Sequence, residues 1–226
     1  MRLLVKMPTR NRWDKFFRLL ELYQQTADNL SNIQFVITCD INDNTKPFNL
    51  KDRISQFQNI TLISGISTGK IHACNRDIEM FKDWDILLLA SDDMIPQRKG
   101  WDTKIIEDMN KHYPNTDGVL WYNDGYTKNN LNTFCILGNK YFNRFGYIYN
   151  PEYISLWCDN EFTEVSKQLK KVVYSNDILF KHEHPANGSG VNDNLYKLNE
   201  KYYNVDKETY LKRKQFNFGL NEILAE

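Results

Sequence analysis

Along the chain, short apolar runs alternate with segments whose apolar residues recur every three or four positions. Leu3, Leu4, Val5 and Met7 form a buried-strand pattern that ends at Pro8, and Trp13, Phe16, Phe17 and Leu20 then fall at helical spacing. Asn11 is placed to cap that helix, with Asp14 three residues on, where an anion suits the helix dipole. Ile33 to Cys39 predicts a second strand ending at Asp40, and Ile60 to Ile63 a third ending before Gly65. A helix is expected from about Lys70 to Phe81. Asp85 to Ala90 lacks polar alternation, the mark of a strand covered on both faces, and runs into Ser91-Asp92-Asp93.

The order through residue 96 is thus strand, helix, strand, linker, strand, helix, strand, which is how a parallel sheet is wound by helices. Ligands of such sheets sit beyond the carboxyl ends of the strands. Here those ends are Thr9-Arg10-Asn11, Asp40, the Gly65 to Lys70 loop and Asp92-Asp93. The second half is less regular. Trp101, Ile105 and Met109 predict a helix, Gly118 to Tyr122 and Thr133 to Leu137 strands, and Tyr141 to Phe145 a short aromatic helix. Glu161 to Leu169 reads as a helix, Val172 to Tyr174 and Ile178 to Phe180 as strands, and Leu195 to Arg213 as a polar helix. The Ala186 to Gly190 loop, with its two glycines, and the basic Lys212-Arg213-Lys214 beyond it are expected to close over a bound anion.

Composition narrows the function classes. Lysine plus arginine and aspartate plus glutamate number 29 each, so the chain lacks the uniform cationic field of nonspecific nucleic-acid and anionic-membrane binders. Nucleic acid is not an expected partner. The longest apolar run, Ile86 to Ala90, is far short of the roughly 20 residues of a membrane-spanning helix, so no integral membrane segment is expected. The start has only Leu3-Leu4-Val5 as an apolar stretch, too short for a secretory signal. Cys39, Cys74, Cys135 and Cys158 are scattered with no CxxC pair, which argues against a zinc knuckle or a disulfide framework and for a cytoplasmic location.

Several clusters carry chemistry. Asp92-Asp93 at a strand end supplies the oxygen ligands that hard divalent cations share with nucleotide phosphates, and it also suits a helix cap or a solvated turn. His182 and His184, at alternate positions, would project from one face of an extended segment, as a metal pair or a surface edge pair. Asp159-Asn160-Glu161, after Trp157, reads both as a helix start with Asp159 as its N-cap and as the seat of a general base. Gly65 to Lys70 puts glycines and a lysine at a helix start, yet it is not a GxxxxGK[ST] loop, and no strand is followed by GxGxxG. Trp121, Tyr122 and Tyr126, around Asn123-Asp124-Gly125, offer aromatic faces to a sugar ring, or else are core and turn residues.

The order of these motifs resembles the nucleotide-sugar glycosyltransferases of the GT-A fold, especially the inverting family-two type, over Leu3 to about His184. PTRNR is similar to that family's first-strand loop, Asp40 to its base-binding acid, and Gly69-Lys70 with Ala73 and Asn75 to its GKxxAxN helix start. SDDMIP resembles its metal-binding DxD motif, Asp159-Asn160-Glu161 its acidic motif containing the base, and HEH its histidine-bearing strand. The resemblance departs at Ala90, where the family often has Asp, and at Cys158, where it usually has Glu.

The fold that the resemblance implies is a GT-A-like, doubly wound mixed α/β sheet with helices on both faces. One domain is expected, with a nucleotide-binding half (1–96), an acceptor half carrying the base (97–184), and a C-terminal loop and helix (185–226). Pro8, Thr9, Arg10, Asn11, Asp40, Lys70, Asn75 and Asp92 would bind a nucleoside diphosphate sugar, most simply a UDP-sugar. Asp93 with His184 or His182 would hold Mn²⁺ or Mg²⁺, and Asp159, with Glu161 as its understudy, would be the base. Trp121, Tyr122 and Trp157 would face the acceptor, an unspecified carbohydrate or other hydroxyl compound. Two alternatives stay open. A sugar-1-phosphate nucleotidyltransferase would need a glycine-rich first loop, and Pro8 to Arg12 contains no Gly. A noncatalytic carbohydrate- or nucleotide-binding module would use the carboxylates only as caps.

Overall fold

The computed structural model describes residues 1–183 and 194–223. Its strands are β1 (Leu3–Thr9), β2 (Ile33–Asp40), β3 (Ile60–Gly65), β4 (Ile86–Leu89), β5 (Met94–Pro96), β6 (Val119–Tyr122), β7 (Ile136–Gly138), β8 (Val172–Ser175) and β9 (Phe180–His182). The helices are α1 (Trp13–Thr26), α2 (Leu50–Ile54), α3 (Lys70–Asn75), α4 (Trp101–His112), α5 (Asn139–Asn143), α6 (Cys158–Gln168), α7 (Asn194–Glu200), α8 (Tyr203–Gln215) and α9 (Leu220–Ile223). Seven strands form one sheet in the order β3-β2-β1-β4-β7-β6-β8, and β5 pairs with β9 in a separate two-stranded ribbon. β1 to β4 are mutually parallel, and β7 alone runs against its neighbours.

The expected mixed, doubly wound sheet is therefore present, and side-chain alternation explains its two covered faces. Leu3, Val5 and Met7 of β1 point into a core completed by Trp13, Phe16 and Leu20 of α1 and Trp101, Ile105 and Met109 of α4. Leu4, with Val36 and Leu87, faces the other way, towards Ile71 and Cys74 of α3, Tyr141 of α5, and Phe162 and Val165 of α6. All four cysteines are buried free thiols. Among the described residues no helix is long and apolar enough to cross a membrane.

Several boundaries differ from the sequence reading for identifiable reasons. β1 does not stop before Pro8; it continues to Thr9, with Pro8 in register with Thr38. The Lys6 carbonyl accepts from Ala90 N–H, so Pro8, two residues on, turns its missing N–H to the same side. Pairing with β4 ends at Lys6 while pairing with β2 runs on, and a crevice opens at the strand ends. Asn11 does not cap α1: it lies at φ 60°, and Arg12 is the residue before the helix. The strand expected over Thr133 to Leu137 starts at Ile136, that over Ile178 to Phe180 starts at Phe180, and the C-terminal helix is broken between α7 and α8.

The helix expected from Lys70 to Phe81 ends at Asn75, because Arg76 and Asp77 are recruited by a buried polar network. Asp77 adopts a left-handed φ of 74°. Arg76 donates to the Cys39 carbonyl (2.9 Å), to Ser67 Oγ (3.1 Å) and to Asp77 (3.1 Å), and Thr38 donates to Asp77 (2.7 Å). Lys6, fully buried on the α3 face of β1, donates to the Arg76 carbonyl (2.7 Å) and to the Thr38 hydroxyl. Burial pushes the Lys6 ammonium down from 10.5 to about 8, against the opposing pull of Asp77.

This lysine makes stability depend on pH in a defined direction. Between pH 7.5 and 9 the unfolded chain keeps the Lys6 proton while the folded chain sheds it, so this group adds stability as pH rises. In urea denaturation the wild type should gain about 1 kcal/mol over that interval relative to Lys6→Met, since one unit of pKa shift corresponds to about 1.4 kcal/mol. Parallel pH responses of the two proteins would show that Lys6 titrates as it does in the unfolded chain.

Candidate active site

The carboxyl ends of β1, β2 and β4 are joined by two ion pairs that radiate from the first-strand loop. Arg10 Nη1 lies 3.0 Å from Asp40 Oδ2 at the end of β2, and Arg12 Nη1 donates to Asp92 Oδ1 at 3.0 Å beyond β4. Asn11, between them, turns the chain at positive φ so that neighbouring arginines reach opposite sides of β1. Asp43 fixes that turn. Its carboxylate accepts from Asn11 N–H (3.0 Å), Trp13 Nε1 (2.9 Å), and both the N–H and the hydroxyl of Thr45 (2.8 and 2.7 Å). Burial alone would raise the Asp43 carboxyl, but these donors outweigh it and hold the group below its ordinary value. Thr9 Oγ1 is buried beside this loop with no hydrogen-bond partner among the described residues.

Asp92 and Asp93 have different surroundings. Burial raises the Asp92 carboxyl and Asp93 adds to the effect, with Arg12 opposing both. Asp93 accepts from the Ser91 hydroxyl and lies 3.5 Å from His182 Nε2. The β5-β9 ribbon creates that approach: Met94 is in register with His182, and Glu183 N–H donates to the Asp93 carbonyl at 2.8 Å. Neither aspartate caps a helix. The sequence-predicted pairing of Asp93 with a histidine strand is thus realised for His182, whereas His184 lies outside the described residues.

Lys70, on α3, and Asp159, on α6, come from different elements, yet each shifts the other's ionisation. Ile71 N–H donates to the Ile154 carbonyl at 3.1 Å, tying the first turn of α3 to the segment that leads into α6. The approach demands glycine at position 69, since a Cβ there would stand 2.9 Å from that carbonyl oxygen. Lys70 keeps solvent access while its ammonium sits among buried groups. Burial acts to lower its pKa, but Cys158, Cys74, Asp93 and Asp159 outweigh it and the ammonium is raised. Burial raises the Asp159 carboxyl, opposed by Lys70, the Asn160 N–H and His182. Asp159 is the second residue of α6, not its N-cap; that position belongs to Trp157, and the Asp159 carboxylate accepts the adjacent Asn160 N–H at 3.0 Å.

Other expected site residues are committed elsewhere. Both Glu161 oxygens are occupied, one by Tyr153 OH (2.7 Å) and Arg213 Nε (2.8 Å), the other by Arg213 Nη2 (2.9 Å), so it is a buried anchor and not a spare base. Asn75 spans the main chain at Ile148 and Tyr149 with three hydrogen bonds and holds that segment in place of a nucleotide. Trp121 and Tyr122 are interior side chains of β6. Tyr122 OH donates to Asp108 at 2.6 Å, and Trp121 packs edge-on to Tyr174. Trp157 packs against Tyr203 and Tyr210 of α8. The basic tail does not face an anion either, because Arg213 binds Glu161 and Glu152, and Lys214 binds Glu164. The loop from Ala186 to Gly190 lies outside the described residues. Sequence reasoning missed Asp43 and Arg12 as organisers of the first loop; the turn-forming Asn42-Asp43-Asn44 after β2 was the available signal.

The donor set of Asp93 and His182, one carboxylate and one imidazole, suits Mn²⁺ or Mg²⁺ with its remaining positions left to phosphate and water. Among the described residues no three histidine, cysteine or acidic side chains gather as a complete metal site.

No protein-family model matches the chain, and no curated protein matches it in sequence. Solved structures do match in three dimensions. The mannosyltransferase PcManGT from Pyrobaculum calidifontis, in complex with GDP-Man and Mn²⁺, aligns with a TM-score of 0.63 at 12% identity, covering 83% of this chain and 58% of that one. S. aureus TarS aligns at 0.65 and 15% identity over 80% of this chain and 36% of its own. TarS 1-349 in complex with UDP-GlcNAc aligns at 0.62 and 14% identity, covering 80% and 57%. The chain therefore spans between about one third and three fifths of these proteins' lengths. What it shares with them is the fold: a mixed, mostly parallel α/β sheet of the GT-A-like kind found in nucleotide-sugar glycosyltransferases.

Proposed function

We propose that the protein is a metal-dependent glycosyltransferase that moves a sugar from a nucleoside diphosphate donor to an acceptor hydroxyl with inversion. The observation that carries this reading is the Asp93-His182 pair, 3.5 Å apart beyond β4, with Lys70 and Asp159 near enough for their charges to act on one another and on that pair. The neighbouring structures with GDP-Man and Mn²⁺, with UDP and with UDP-GlcNAc support a nucleotide sugar as the ligand class.

In this mechanism Asp40 accepts the base N–H while Arg10 donates to an adjacent carbonyl. The combination favours uracil, because guanine offers N1–H and N2–H to both oxygens of a carboxylate and Arg10 already engages Oδ2. Asp92, oriented by Arg12, is directed to the ribose. Asp93 and His182 would hold Mn²⁺ or Mg²⁺, which supplies charge neutralisation of the diphosphate. Lys70 donates to the same phosphates as negative charge builds on the departing oxygen. Asp159 takes the acceptor proton as the acceptor oxygen bonds to the anomeric carbon. The bond from that carbon to the phosphate oxygen breaks on the opposite face, its electron pair leaving with the nucleoside diphosphate.

Donor cleavage tests the reading directly. With Mn²⁺ and a panel of UDP- and GDP-sugars, the expected product is nucleoside diphosphate, fastest from a UDP-sugar. Pyrophosphate release from a nucleoside triphosphate mixed with a sugar 1-phosphate, with no cleavage of the nucleotide sugars, would indicate nucleotidyl transfer instead, and no turnover of either set would leave only a binding module.

Two variants assign the roles. Asp159→Asn removes the proton acceptor and keeps the shape, and since Asp159 is not the N-cap it should fold and bind donor normally while transfer falls by roughly 10²–10⁴. A near-normal rate would remove Asp159 from the base role. Asp93→Asn should raise the Mn²⁺ concentration for half-maximal activity by about tenfold or more, since it deletes an anionic ligand. An unchanged metal titration would move the ligand elsewhere.

A further inference from the structure

Trp157, immediately before α6, has a φ of 63°, a left-handed conformation that a bulky residue keeps only where its surroundings impose it. Those surroundings come from α8. The rings of Tyr203 and Tyr210 lie 5.5 and 5.2 Å from the Trp157 ring, and the Lys207 ammonium stands 5.7 Å over it. On the upstream side, the fully buried Asp206 accepts three successive backbone N–H groups, from Ile154 (2.9 Å), Ser155 (2.9 Å) and Leu156 (2.7 Å). Downstream, Arg213 grips Glu161 with two nitrogens, and it also reaches back to Glu152, ahead of the segment, at 2.6 Å. Asp206 and Arg213 are seven residues apart, two helical turns, so one face of α8 holds both flanks of the segment that bears Asp159.

We propose that α8 is a positioning element for the transfer reaction, and that Asp206 is the residue through which it sets Asp159. The inference rests on Asp159 being the base. The N–H groups that Asp206 gathers belong to the short stretch whose Ile154 carbonyl also accepts from Ile71, next to Lys70. One carboxylate on a distant helix therefore fixes the spacing between the group that meets the donor phosphates and the group that takes the acceptor proton. Removing it leaves three adjacent N–H groups unpaired in the interior and frees Trp157 to leave its left-handed conformation. Neither Asp206 nor α8 touches the cleft chemistry, so the effect is on alignment.

The test compares Asp206→Ala with Asp159→Asn, using nucleoside diphosphate release from the donor that the wild type cleaves fastest. Asp206→Ala should lower kcat by about 10²-fold with donor KM within about threefold, the signature of misplacement by about 1 Å and not of lost binding. Backbone hydrogen exchange should accelerate from Ile154 to Asn160 while β1 and β2 stay protected. Added formate, small enough to occupy the hole and accept the same N–H groups, should restore much of the Asp206→Ala rate and none of the Asp159→Asn rate. If Asp206→Ala does not fold, Arg213→Gln, which loosens the other anchor, should show the same kcat-weighted loss.

A wild-type kcat in Asp206→Ala beside an inactive Asp159→Asn would overturn the inference alone. So would a loss of kcat and KM together without formate rescue, which marks a merely structural role. A normal rate in Asp159→Asn would instead remove the base on which the inference rests.

Discussion

The contact on which the site depends is the hydrogen bond from Ile71 N–H to the Ile154 carbonyl, made over a glycine that no other residue can replace without a clash. It joins the first turn of α3 to the segment that leads into α6. The sheet alone brings the ends of β1, β2 and β4 together. It does not bring α6 to them, because α6 follows the antiparallel excursion through β7 and α5. A close backbone approach at Gly69 closes that gap and brings the elements that carry Lys70 and Asp159 together.

Around this contact the charges are arranged in opposed pairs across neighbouring strand ends. Arg10 with Asp40 and Arg12 with Asp92 leave each carboxylate oriented, and Asp43 locks the loop that carries both arginines. Such partly buried pairs add little net stability, because desolvation offsets much of their attraction. Their effect is geometric: the acids are set in place before a ligand arrives. Asp159 differs from them in having no cationic side chain bonded to it among the described residues, and its raised pKa follows mainly from burial, as would suit the base proposed for the transfer.

Much of this was legible in the sequence. Strand ends were visible because buried parallel strands are unbroken apolar runs followed by Asp, Gly or Pro, and that pattern located Asp40, Lys70, Asp92 and Asp93 correctly at one edge. What escaped were the places where tertiary contacts override local preference. The helix after Lys70 is cut short because Asp77 serves Lys6 and Thr38, residues more than 30 positions away. Glu161 looks in sequence like part of an acidic catalytic motif, and only the arrival of Arg213 from α8 shows that it is an anchor. Trp121 and Tyr122 could be sugar platforms or core residues on composition alone, and burial decided for packing, while the half-buried Trp157 is taken up by the aromatic rings of α8. Asp206 sits in a polar helix pattern with nothing to distinguish it until its three N–H partners are seen.

Calorimetric titration with UDP, with and without Mn²⁺, bears most directly on whether this edge of the sheet is a nucleotide-diphosphate site. With Mn²⁺ present UDP should bind saturably, and in chelator the Kd should rise by about tenfold or more, because the donor phosphates would then face Asp92 and Asp93 with no cation between them. No detectable heat with UDP or GDP in either condition, at protein concentrations that register a Kd of about 100 μM, would contradict the assignment of the cleft.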